Sequence, residues 1–117
     1  MKDNTIISSE ALTISALINY SEQRISRRVL AKNGAGNITL FAFDEGQSLS
    51  EHSAPFDAIV IVIEGCLILT INGKPVTATQ GEIVRMPANI PHAVDAPEPA
   101  KMLLVILKEP AGKPSAK

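Results

Sequence analysis

The chain has 117 residues, 45% of them hydrophobic and 20% charged, with a formal net charge of -1 at neutral pH. That length holds one domain, and that balance argues against both disorder and a surface built for a polyanion. No nucleic-acid partner is expected: the basic residues are scattered, there is no Trp, the one Tyr is Tyr20, and the densest basic cluster, Arg24, Arg27 and Arg28, is accounted for by a salt-bridged surface.

In chain order, residues 1–5 lack the basic stretch and apolar core of an export signal. Residues 1–24 read as an N-terminal segment in which Leu12, Leu17 and Ile18 stand among small polar residues. That pattern suits a short amphipathic helix over residues 9–20, capped by Ser8 or Ser9, or else an irregular strap, since the Thr and Ile residues weaken helical propensity. From Ile25 onward the texture becomes short apolar segments punctuated by Gly, Pro and Asn, the pattern of antiparallel strands in a sandwich or barrel. The segments are 25–31, 38–43, 58–63, 67–71, 75–79, 83–86 and 102–107. Residues 59–63 are apolar at every position, which predicts a strand covered on both faces, by the interior and by the N-terminal segment or a second copy of the chain. That run is far too short to cross a bilayer, so no membrane association is expected. Cys66 is the single cysteine, which excludes an intrachain disulfide and a thiolate metal cluster; it fits a small apolar filler in a cytoplasmic, reducing setting. Asn72-Gly73 supplies the positive φ angles of a tight two-residue hairpin. The barrel is expected to run over 25–108, and residues 109–117, with two Pro, one Gly and two Lys, read as a flexible tail.

The two histidines, His52 and His92, fall in regularly spaced glycine frames. Five residues lead from Gly46 to His52; Ala54 follows two later, Ala58 four beyond that, and Gly65 after six more intervening residues. Five residues also lead from Gly81 to Pro87, with Asn89 two later, His92 three beyond it, and Ala96 further on. This double pattern resembles the two motifs of the cupin family, with Asn89 in a glycine slot that needs a left-handed backbone. The resemblance implies an all-β fold: a double-stranded β-helix, or jelly roll, of the RmlC-like cupin superfamily, with a short N-terminal helical or irregular segment. It also implies that His52 and His92 converge inside the barrel. The family's slots hold two histidines and a glutamate as metal ligands; here Ala54 and Ala58 occupy two of them, leaving His52 and His92 as the candidate ligands for a divalent ion. Strand parity turns Asp57 away from the barrel, whereas Glu64 has inward parity but lies about 20 Å along the strand at ~3.3 Å per residue.

Two imidazoles alone hold a divalent ion weakly. The reading put first is therefore a small single-domain cupin binding a small-molecule ligand, apolar or carboxylated. His52 and His92 serve as polar anchors or weak metal ligands, with Met86 and Met102, and also Leu104, lining an aliphatic pocket. Two alternatives stand beside it: a metal-dependent oxygenase or isomerase with an incomplete two-histidine site, and a structural or stress-related barrel without catalysis. A homodimer is expected, through the apolar strand 59–63 and the N-terminal stretch.

Overall fold

The computed structural model describes residues 5–108. The proposed tail, 109–117, and the first four residues of the N-terminal segment lie outside them. Strands follow one another as β1 (Ile25–Asn33), β2 (Gly36–Phe43), β3 (Ser48–His52), β4 (Asp57–Glu64), β5 (Cys66–Ile71), β6 (Lys74–Thr79), β7 (Ile83–Met86), β8 (His92–Asp95) and β9 (Ala100–Leu107). They form a five-stranded sheet, ordered β1-β2-β9-β4-β7, and a four-stranded sheet, ordered β3-β8-β5-β6, with every pairing antiparallel. This is the expected jelly roll. Two of its strands, β3 and β8, were not among the seven apolar segments. Both are short, and β3 is largely polar; the ladders they join, rather than their own propensity, make them strands.

Alternation along the strands fills the space between the sheets. Phe41 and Phe43 of β2, Ala58, Val60 and Val62 of β4, Leu67 and Leu69 of β5, Met86, Val94 and Met102 form one buried cluster. Leu67, Leu69 and Phe43 are fully excluded from solvent, so truncating any of them to alanine removes about 2–5 kcal/mol. The β5–β6 hairpin turns on Asn72 and Gly73 at φ 52° and 82°, with Ile71 opposite Lys74, as the dipeptide predicts.

Within a single chain the strand covered on both faces is β2, not β4. Residues 39–43 are all buried, whereas on β4 the outward Ile59 and Ile61 remain half-exposed and only Ile63 is packed under the N-terminal segment. That segment crosses the β1–β2 side of the sheet, where Ile18 joins Leu30, Leu40 and Ala42 in a second buried cluster flanked by Ile14, Leu17, Tyr20 and Leu103. The predicted helix over 9–20 is absent. One 3₁₀ turn, Ile14–Ala16, is all that forms; Thr13 makes no side-chain cap and Ser9 adopts φ 65°. Contacts of the Ile14, Leu17 and Ile18 face with the sheet replace helical hydrogen bonding.

Polar bonds fasten the strap. Lys101, 7% exposed, donates from Nζ to the Ser15 carbonyl at 2.6 Å, lies 3.8 Å from Glu64 Oε2 and faces the Tyr20 ring. The Tyr20 hydroxyl donates to Glu64 Oε2, and burial, followed by that bond and the carboxylate's charge, pushes the phenol pKa well above its ordinary value. The parity reasoning for Glu64 fails because a bulge separates Val62, opposite Met102, from Glu64, opposite Lys101; the extra residue turns the carboxylate to the outer face. Nor is the arginine cluster salt-bridged: Arg28 donates to the Leu17 carbonyl, and the ion pairs among the described residues are Arg85–Asp57 and Lys101–Glu64.

Candidate functional site

His52 ends β3 and His92 begins β8, and the two are register partners in that ladder. Cross-strand partners share a face, so the rings meet, with centroids 4.5 Å apart and planes inclined at 67°. His92 is buried at 7% exposure; His52 is exposed. Both rings line a cavity of about 70 Å³ between the sheets, with Met86, Met102, Leu104, Ala54, Ala58 and Phe56 among its walls. All four residues named from the sequence as ligand-binding thus surround one space. A larger groove of about 210 Å³ lies elsewhere, beside the β1–β2 turn, and contains no histidine.

The imidazoles are held alike. His52 Nδ1 lies 3.1 Å from the Ser50 carbonyl oxygen, and His92 Nδ1 lies 3.2 Å from that of Ile90. A carbonyl oxygen can only accept, so each Nδ1 carries the hydrogen, and in the neutral ring Nε2 keeps a lone pair. Neither Nε2 has a hydrogen-bond partner among the described residues, and none of their fully buried side-chain nitrogens or oxygens is left unpaired, so both Nε2 atoms are open to the cavity or to solvent. Desolvation, partly opposed by the Ile90 bond and reinforced by electrostatic interaction with the neighbouring His52 ring, lowers the His92 pKa and favours its neutral form.

The segment that delivers His92 is tied down by two bonds. Asn89, at φ 66° in the glycine slot of the second motif, donates its N–H to the Ala54 carbonyl at 2.7 Å. Asp57 Oδ1 accepts from the Ala88 N–H at 2.9 Å, while Arg85 grips Oδ2 through Nε and Nη2. The Ala88 bond, followed by the Arg85 contacts, holds the Asp57 carboxyl below the usual carboxylate range. Sequence parity places Asp57 on the outer side, but its anchoring role is visible only in the fold. Phe56 was likewise not among the predicted lining residues; at the cavity wall its ring carries Lys108 Nζ 5.1 Å from its centroid. An aromatic inside the first glycine frame, four residues after His52, was the available signal.

The donor set decides what the residues can hold. No group of three or more His, Cys, Asp or Glu side chains converges among the described residues. The family's other ligand slots are Ala54 and Ala58, both lining the cavity, and the nearby carboxylate, Asp57, is committed to Ala88 and Arg85. A catalytic zinc takes three protein ligands, so the two imidazoles fall one ligand short of such a site.

The chain is similar to several solved structures. A conserved protein of unknown function, SPY1581 of Streptococcus pyogenes, is 33% identical with a TM-score of 0.87, over 92% of this chain and 95% of that one. A cupin superfamily protein, DSY2733 of Desulfitobacterium hafniense, shares the fold at 24% identity and a TM-score of 0.84, over 92% of this chain and 97% of that one. A cupin 2 conserved barrel domain protein from Leptotrichia buccalis is 38% identical with a TM-score of 0.78 over 80% of this chain, which spans 46% of that longer protein. No curated protein matches. The cupin domain family model matches residues 39–106, the span that contains both glycine frames and every strand of the cavity, and the chain therefore belongs to the cupin family.

Proposed function

We propose that the protein binds a small, largely apolar molecule in the barrel cavity, with His52 and His92 as its polar anchors. The observation that carries this reading is the histidine pair, its ring centroids 4.5 Å apart and its Nε2 atoms unpaired among the described residues, on the wall of a cavity otherwise lined by aliphatic, aromatic and thioether side chains. Such a wall gains from burying apolar surface, while two fixed polar atoms set orientation. Metal-free protein, screened by thermal shift and by NMR of the Met86 and Met102 methyls against small organic molecules, tests it. Saturable methyl shifts that weaken in His92→Ala support the reading. A library that moves no cavity methyl, beside a divalent ion that binds tightly and stoichiometrically, refutes it.

We also infer that the chain pairs with a second copy through the outer face of β4, β7 and β9. Ile83, 63% exposed, stands opposite Ile61, and the half-exposed Ile59 stands opposite Val105, giving an apolar strip that the N-terminal segment leaves uncovered. Sedimentation of the parent and of Ile83→Lys is the test: a parent dimer that dissociates in the variant supports it, and a monomeric parent ends it.

A further inference from the structure

The cavity's hydrogen-bonding capacity is one-sided, and that narrows the ligand, provided the cavity is a ligand site as proposed above. Both Nδ1 atoms are spent on backbone carbonyls, which in the neutral rings leaves two Nε2 lone pairs as acceptors. The other lining side chains are those of Ala, Leu, Ile, Val, Phe and Met, which supply no donor; the thioethers of Met86 and Met102 are weak acceptors. An occupant must therefore bring the hydrogens. A carboxylate would set its own lone pairs against those of the imidazoles and lose its hydration without replacement, a cost that a buried polar group escapes only by pairing. A molecule with hydroxyls on neighbouring atoms satisfies both acceptors at once, since the rings that carry them are 4.5 Å apart. The space limits the rest. At about 70 Å³ it is smaller than the ~150 Å³ apolar cavity that admits benzene, so the carbon skeleton is short.

We propose that the cavity selects small uncharged molecules bearing two hydroxyl groups on adjacent carbons, vicinal diols or enediols with a short apolar body, over carboxylates of the same size. Cations near the wall do not reverse this preference: Arg85 is held by Asp57, and Lys108 rests on the face of Phe56.

The test uses the full chain, freed of metal with a chelator, at pH 8. Three probes are titrated while the methyls of Met86 and Met102 are followed by NMR: 1,2-propanediol, propionate with the same number of carbons and oxygens, and xenon as an apolar body without polar groups. Two-bond proton–nitrogen spectra of the imidazoles read the tautomer in the unaltered protein. The expected result is hydrogen on Nδ1 of both rings, saturable binding of the diol at least tenfold tighter than of propionate, and loss of that preference in His52→Ala and His92→Ala. Lys108→Ala should leave the diol affinity unchanged. Hydrogen on Nε2, propionate binding as tightly as the diol, or a diol preference that survives both histidine substitutions overturns the inference. If xenon or propionate binds and the diol does not, this inference fails while the ligand-binding reading stands; if no probe shifts a cavity methyl, both fail together.

Discussion

Gly65, in the turn between β4 and β5, offers a calculation that separates backbone strain from steric contact. Its φ is +79°, and a Cβ built on it would meet the Pro99 carbonyl oxygen at 2.4 Å and the Cα and Cβ of Ala100 at 2.9 and 3.0 Å. Gly73, at φ +82°, has the same left-handed backbone, but nothing lies within 4 Å of its Cβ position. An alanine at either site costs about 1–2 kcal/mol for the left-handed conformation, offset by about 0.4–1 kcal/mol from the reduced freedom of the unfolded chain. Gly73→Ala should thus destabilise by roughly 0.5–1 kcal/mol. Gly65→Ala must also push the start of β9 away by about 1 Å to reach ordinary contact, and a backbone shift of that kind adds about 1–3 kcal/mol. The total is about 1.5–4 kcal/mol. At roughly 4 °C per kcal/mol for a domain of this size, Gly65→Ala should lower Tm by about 6–16 °C and Gly73→Ala by about 2–4 °C. Urea titration with an unchanged m-value, beside a thermal scan, measures both. Equal losses in the two variants would refute the contact argument, because the φ angles already match.

Three further outcomes follow from bonds around the site and the strap. The depressed Asp57 pKa means that its contribution to stability is fully present above the unfolded carboxyl's value of 3.8 and is lost as pH falls through the lower folded value. Urea midpoints across pH 2–7 should therefore fall less steeply with acid in Asp57→Asn than in the parent, and identical slopes would remove Asp57 as the cause. In Lys101→Met, hydrogen exchange should accelerate at the strap amides of residues 13–20 while β4, β5 and β9 stay protected, since the ammonium is what holds the Ser15 carbonyl and Glu64 together; uniform acceleration would contradict a local role. Ala58→Glu restores a third ligand beside His52 and His92, so calorimetry should show zinc affinity rising at least tenfold over the parent, and no rise would show that the alanine slot does not face the histidine pair.

Much of the architecture was legible because it rests on local chemistry. Asn72-Gly73 marked its hairpin by left-handed backbone preference, and the apolar segments marked the strands that bury one face. The strands carrying the histidines were not legible as strands: Ser-Leu-Ser-Glu-His and His-Ala-Val-Asp have neither the length nor the composition of one, and only their ladders with each other and with β5 define them. The convergence of His52 and His92 could nevertheless be anticipated, from the glycine spacing rather than from periodicity. Glu64 shows the limit of parity, since a single bulge reverses the face of the residue after it, and nothing in an apolar run announces where the extra residue will sit. The strap illustrates the same limit for helices. Of the three apolar residues that suggested a helix, Leu17 and Ile18 do pack on the sheet, together with Ile14, but Leu12 is exposed, and tertiary contacts hold the packed face without helical turns. The bonds from each Nδ1 to the carbonyl two residues earlier depend on backbone curvature that no side-chain pattern encodes.

The two sides of the cavity are not mechanically equivalent. β8 is laddered on both flanks, to β3 and to β5, so His92 belongs to a strand whose displacement breaks two rows of hydrogen bonds. β3 is the outermost strand of its sheet and touches one neighbour, with its register interrupted between Leu49 and His52. Edge segments with fewer ladder bonds open at lower free energy than central ones. The histidine pair is thus a vice with one fixed jaw and one compliant jaw. Substitutions on β3 can widen or narrow the grip without repacking the interior, which gives this barrel a route to a new occupant that leaves its core untouched.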